Sequence, residues 1–150
     1  MYDWAKNYVG IPFVSGGRDD TGCDCYGLVR LILTEQYGYE LPLLIGGYTN
    51  ALDVAETRRL FTRNVPLLCG EKIENPEEKS VALLNFGGRL CHVGLYAGDG
   101  YIIHSRHNVG AVCERIDSPS LAGRVEGWYR VDSSYCVPEP VLSGKNRVQV

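Results

Sequence analysis

The hydrophobic pattern changes period halfway along the chain, and that change restricts the fold more than any other feature. Over residues 25–37, Leu28, Val29, Leu31, Ile32 and Leu33 fall on one broad helical face. Asp24 stands ready as N-cap and Gly38 lies just past the end. Residues 50–63 (NALDVAETRRLFTR) show the same spacing through Leu52, Val54, Ala55, Leu60 and Phe61. Residues 3–9 (DWAKNYV) can form a short helix capped by Asp3, and residues 10–22 hold too much Gly, Pro and Asp for regular structure, so they read as an ordered loop.

In the second half the runs are short, rich in Val, Leu, Ile and Tyr, and divided by Gly and Asp clusters. Residues 80–86, 92–96, 101–105, 111–115 and 125–131 suit strands of an antiparallel meander, with AGDG at 97–100 as a hairpin turn. Helices first and strands second predict an α+β domain, N-terminal helices packed on an antiparallel sheet of about five strands, rather than a βαβ repeat. A chain of 150 residues fits one core. The domain is expected over residues 1–131, followed by a C-terminal extension, 132–150, that carries Pro138 and Pro140.

Composition removes several functional classes. With 22% charged residues and a net charge of -3, the chain has no basic stripe for nucleic acid. No run approaches the roughly 18 apolar residues of a membrane span. The N-terminus lacks the basic start, apolar stretch and small-residue cleavage site of a secretory signal, so the expected location is the cytoplasm where the protein is made. Without such a signal the six cysteines, at 23, 25, 69, 91, 113 and 136, read as thiols.

One of those thiols sits where chemistry is favoured. Cys25 opens the best-defined helix, and backbone N–H groups and the helix dipole there stabilise a thiolate and can face a developing oxyanion. A thiol hydrolase also needs a histidine to carry the proton and a polar group to orient it. His92 opens the run HVGLY, and His104 follows 104 − 92 = 12 residues later on the next strand. An even separation across a tight hairpin puts both on one face of the sheet.

These residues also carry a family resemblance. GIPFVSGGRDDTGCDCYGLV resembles the nucleophile region of NlpC-type papain-like cysteine peptidases, where a Gly-rich loop enters an Asp-Cys-x-Gly-Leu-Val helix start. CHVGLYAGDGYIIHS resembles the second motif of that family, and the similarity spans roughly residues 4–131. It implies a papain-like core, cleavage of amide bonds in peptidoglycan stem peptides, and no metal or organic cofactor. By position, Cys25, His92 and His104 match the catalytic three, and Asp24 matches an acidic residue that holds the substrate amine. Phe13 stands where many cell-wall members carry a Tyr, so a site hydroxyl is missing. The wording GRDDTGCDCYGLVRL followed by YGYELP is similar to tail-tip proteins of long-tailed bacteriophages, which implies tail-tip partners and incorporation in a virion tail. It also opens an alternative, a tail-assembly subunit that keeps the fold with vestigial catalysis.

Other readings compete. Cys23, Cys25, Cys91 and His92 can be drawn as a zinc set, but a C-x-C pair beside an adjacent Cys-His strains the spacing structural zinc uses. Gly16 and Gly17 lack the Gly-Lys-Ser/Thr of a phosphate loop. Asp19, Asp20 and His107 read as solvated loop residues.

Overall fold

The computed structural model describes residues 1–43, 69–87 and 89–135. The expected helix over 50–63 and the chain from 136 onward lie outside the described residues. The chain opens with a 3-10 turn, Asp3–Asn7, preceded by Tyr2 at the cap position with no side-chain cap. Asp3 is therefore inside the first turn and does not cap it, a correction to the expected short helix. Within the expected loop, two short strands, β1 (Arg18–Asp19) and β2 (Gly22–Cys23), pair antiparallel.

Helix α1 spans Cys25–Tyr37. Asp24 caps it by accepting from the Gly27 N–H, and Gly38 ends it with φ 73°, the left-handed conformation that glycine takes without steric cost. The helix buries Leu28, Val29, Ile32 and Leu33, each contributing on the order of 1.5–3 kcal/mol.

Six further strands form one antiparallel sheet: β3 (Cys69–Ile73), β4 (Val81–Phe86), β5 (Arg89–Gly98), β6 (Tyr101–Arg106), β7 (Gly110–Arg115) and β8 (Val125–Val131). Their order is β3-β8-β4-β5-β6-β7. Strands β4 to β7 are the expected meander, while β8 returns to the far side of β4 and pairs with β3 at the edge. The α+β class holds, with one strand more than expected. Strand β3 escapes a sequence reading because CGEKI is mostly exposed and becomes a strand only through its pairing with β8.

Side chains alternate between two apolar layers. Val81, Leu83, Val93, Leu95, Ala97 and Ile103 pack with α1, whereas Ala82, Leu84, Ile102, Leu121 and Trp128 form a second cluster. Helix α1 lies against β5 and β6. Among the described residues, no helix is long and apolar enough to cross a membrane.

Candidate active site

The start of α1 is built by contacts over short stretches of chain. The Asp24 carboxylate is 1% exposed. It accepts from Gly27 N at 2.8 Å and Gly16 N at 3.0 Å, and pairs with Arg18 Nη1 at 2.7 Å. Arg18 in turn donates to the carbonyls of Gly17 and Leu43. The Gly-rich loop is thereby clamped onto the first turn, where Cys25 is half-buried. Gly27 has to be glycine, because a Cβ there would run into the Gly17 carbonyl.

The histidines are brought together across strands. With Leu95 opposite Ile103 and Tyr96 opposite Ile102, positions 92 and 104 share a face diagonally. Nε2 of His92 lies 2.8 Å from Nδ1 of His104. The other nitrogen of His104, Nε2, lies 2.5 Å from Oε2 of Glu114 on β7. Glu114 Oε1 accepts from Ser120 Oγ at 2.7 Å and Arg106 Nη1 at 3.3 Å. Gly94 leaves room for this arrangement, since a Cβ there would sit 3.4 Å from that of His104.

A second route of support reaches His92 from behind. The Phe86 ring meets it edge-on at 5.5 Å, and the Arg124 guanidinium covers Phe86 at 4.8 Å. Arg124 Nε also donates to the Ser120 carbonyl at 3.1 Å. Burial, with the charges of His104 and Arg106 adding to it, pushes His92 down to about 3. Burial lowers His104 as well, against the pull of its Glu114 hydrogen bond. For Glu114, burial acts upward, yet hydrogen bonds from Ser120 and His104 outweigh it and hold the carboxyl below its usual value. Both imidazoles are therefore neutral near pH 7, the form in which an imidazole can accept a proton.

Besides the packing of α1 on β5 and β6, a buried hydrogen bond ties the two sides: Ser105, beside His104 on β6, donates from Oγ to the Cys23 carbonyl at 2.9 Å.

With that geometry in place, relatives can be compared. A model of the NlpC/P60 family matches residues 10–127. The chain belongs to the NlpC/P60 family. Protein P54 of Enterococcus faecium is 32% identical over 103 residues, covering 67% of this chain and 16% of that protein. A probable endopeptidase NlpC homolog of Haemophilus influenzae is 28% identical over 112 residues, covering 75% of this chain and 51% of that protein. The chain thus spans about half or less of the length of these curated relatives. Among solved structures, the NlpC/p60 domain of the peptidoglycan hydrolase SagA aligns with TM-score 0.57 and 20% identity over 83% of this chain and 91% of that one. An NlpC/P60 family protein of Bacillus cereus aligns with TM-score 0.60 and 21% identity over 89% of this chain and 38% of that one. At these identities the two structures speak for the fold.

In this NlpC/P60 domain the other sequence candidates fall in two places. The backbone of Phe13 bridges to Cys23, and its ring stands edge-on to His107 at 5.5 Å beside a cleft of about 470 Å³ lined also by Pro12, Ser15, Asn108 and Val109. His107 is exposed. Cys23 is buried, donates to the Asp19 carbonyl at 3.0 Å, and is pushed up to about 12 by burial. Cys23, Cys25, Cys69 and Cys113 are thiols, and among the described residues no three His, Cys, Asp or Glu side chains are grouped to hold a metal ion. Glu114 is the site residue the sequence reading missed. One signal could have found it: Glu114 sits on the strand after His104, and a hairpin register of the kind that joins 92 to 104 also joins 104 to 114.

Proposed function

We propose that this domain is a cysteine endopeptidase that hydrolyses amide bonds in peptidoglycan stem peptides. The observation that carries the proposal is the 2.8 Å contact between His92 and His104, on strands packed against the helix that Cys25 begins. A histidine pair held neutral and in series, on strands packed against a helix that begins with a thiol, suits nucleophilic acyl transfer. The names of relatives support the substrate class: one is a probable endopeptidase, and SagA is a peptidoglycan hydrolase.

In the proposed reaction His92 takes the Cys25 proton, and the thiolate sulfur attacks the scissile carbonyl carbon. The oxyanion forms against backbone N–H groups at the start of α1. The His92 imidazolium then protonates the departing amine as the C–N bond breaks, leaving a thioester. Water, deprotonated by His92, hydrolyses the thioester and restores the thiol. His104 orients His92 throughout.

Asp24 enters differently from what the resemblance implies. A substrate amine would have to share its carboxylate with Arg18, so its first contribution is to hold the loop, and amine binding comes second to that. A setting at the tail tip of a long-tailed phage is the finer part of the proposal and rests on the wording of residues 17–42. Phe13, which brings no hydroxyl to the cleft, is what favours the scaffold alternative.

The test is digestion of defined muropeptides with product masses read out. Cys25→Ala and His92→Ala are expected each to abolish cleavage, and their double variant to be no worse than either alone. His104→Ala is expected to slow cleavage without ending it. Absence of cleavage across several wall chemistries, with a Cys25 thiol no more reactive than a surface cysteine, would replace the enzyme by the scaffold.

A further inference from the structure

We propose that Glu114 is a positioning residue that sets the direction of the hydrogen bonds running through His104 to His92, and thereby decides which nitrogen of His92 accepts the Cys25 proton. The proposal rests on the reading of Cys25 and His92 as nucleophile and base.

An ionised carboxylate can only accept, so at 2.5 Å the proton between Glu114 Oε2 and His104 Nε2 belongs to His104. A neutral imidazole carries one N–H, which leaves Nδ1 of His104 as an acceptor. Across the 2.8 Å contact His92 must then donate from Nε2. Its single N–H is used there, so Nδ1 of His92 bears the lone pair that can take a thiol proton. Reversing the relay would put the proton on Nδ1 and turn the base into a donor.

What holds Glu114 in this role is the asymmetry of its own contacts. Oε1 receives Ser120 Oγ and Arg106 Nη1, and Oε2 faces only His104 among the described hydrogen bonds. Arg106 cannot act as an acceptor. In Glu114→Gln, Arg106 and Ser120 would therefore keep the amide oxygen on their side and turn the NH₂ toward His104 Nε2. That nitrogen would have to accept, His104 would donate from Nδ1, and His92 would carry its proton on Nδ1. An isosteric change thus reverses the relay without removing a single contact. The charged or titratable groups facing this relay are Arg106 on β6 and Glu114 on β7, with Arg124 reaching it through Phe86 and Ser120.

Imidazole ¹⁵N shifts of the full chain labelled at histidine, together with iodoacetamide alkylation of Cys25 followed by peptide mapping, test this. Wild-type His92 is expected as the Nε2–H tautomer, and the Gln variant as the Nδ1–H tautomer. Outer-shell partners that orient metal-bound imidazoles are worth roughly 10- to 100-fold, and by analogy Cys25 alkylation is expected to fall by about that factor in Glu114→Gln and to recover in part in Glu114→Asp. A wild-type His92 found as Nδ1–H overturns the proposal even if no variant folds. So does a Gln variant with unchanged tautomer and alkylation while His92→Ala slows alkylation, an outcome that leaves the nucleophile–base reading standing. Alkylation indifferent to His92→Ala overturns both. Reversal of the tautomer in a protein that cuts no muropeptide supports the relay and removes the substrate reading alone.

Discussion

The two sides of the site are assembled by different means. At the start of α1 the contacts that converge on Asp24 span only a few residues: Gly16, Arg18 and Gly27 all reach its carboxylate. The histidine side has no such local logic, since His92, His104 and Glu114 come from three successive strands and meet only because β5, β6 and β7 hold one register. A loop-and-cap structure can be damaged at a single carboxylate, whereas a sheet-borne relay is damaged by anything that shifts a strand.

The largest expected effect falls on the local side. Asp24→Ala removes the N-cap and the carboxylate that pairs with the Arg18 side chain, 7% exposed. Breaking a buried pair in this way costs about 3–5 kcal/mol, to be read as a lowered urea midpoint. If Asp24→Ala unfolds no more easily than a surface variant, the clamp is not what holds the loop. Next in size is a pair of glycine changes that set the two sides against each other. Gly27→Ala meets an unyielding backbone carbonyl, that of Gly17. Gly94→Ala meets Ile102 Cγ2 at 2.8 Å, with the Ile103 carbonyl oxygen at 3.3 Å and the His104 Cβ at 3.4 Å, so its one severe clash is with a side-chain atom that can give. Overpacking of the second kind costs roughly 1–3 kcal/mol. Gly94→Ala should lose more activity than that loss of stability accounts for, measured by kcat beside thermal unfolding, because it presses on the relay.

A smaller effect sharpens the electrostatics of the sheet side. His92 titrates at about 3 in the folded chain, and His104 is also lowered, whereas unfolded histidine takes up its proton near about 6.5. Between those values the unfolded chain binds more protons. Stability from these two groups is therefore full above about pH 6.5 and is lost as pH falls toward about 3. The carboxylates held low, Glu114 and Glu77, add their own losses only from about their usual value of 4.5 downward. Denaturant midpoints between pH 6.5 and 5 should fall in wild type and stay flatter in His92→Gln. Smallest is Phe13→Tyr, which restores a hydroxyl beside the cleft and should leave the urea midpoint within about 0.5 kcal/mol, the range of ordinary surface changes. It should alter muropeptide KM more than stability.

The same contrast explains what could be read in advance. Helix α1, its Asp24 cap and its Gly38 end are written in neighbouring residues, so they were legible; the shared face of His92 and His104 was legible from their even separation only once a hairpin register was assumed, and β5 and β6 adopt that register. Glu114 was missed although the next hairpin's register places it on the face of His104, because only Ser120 and Arg106, which hold its other oxygen, set it apart from any other strand glutamate. Asp3 misled for the opposite reason. It is a good capping residue in type, but the chain enters its first turn one residue earlier, at Tyr2. The pairing of Asp24 with Arg18 was equally out of reach, since Arg18 looked like one more polar residue of a loop.

The buried bond from Ser105 to the Cys23 carbonyl, 82 residues apart, has a bearing on the order of events at the ribosome. The helix that starts at Cys25 can form as soon as it emerges, but contacts between distant parts of a chain wait for both to be available and for the intervening loop to close. The bond between the Cys23 carbonyl and β6 can close only after β6 has been synthesised, and Glu114 on β7 arrives later still. The local contacts around Asp24 can therefore be in place before the His92, His104 and Glu114 series is complete.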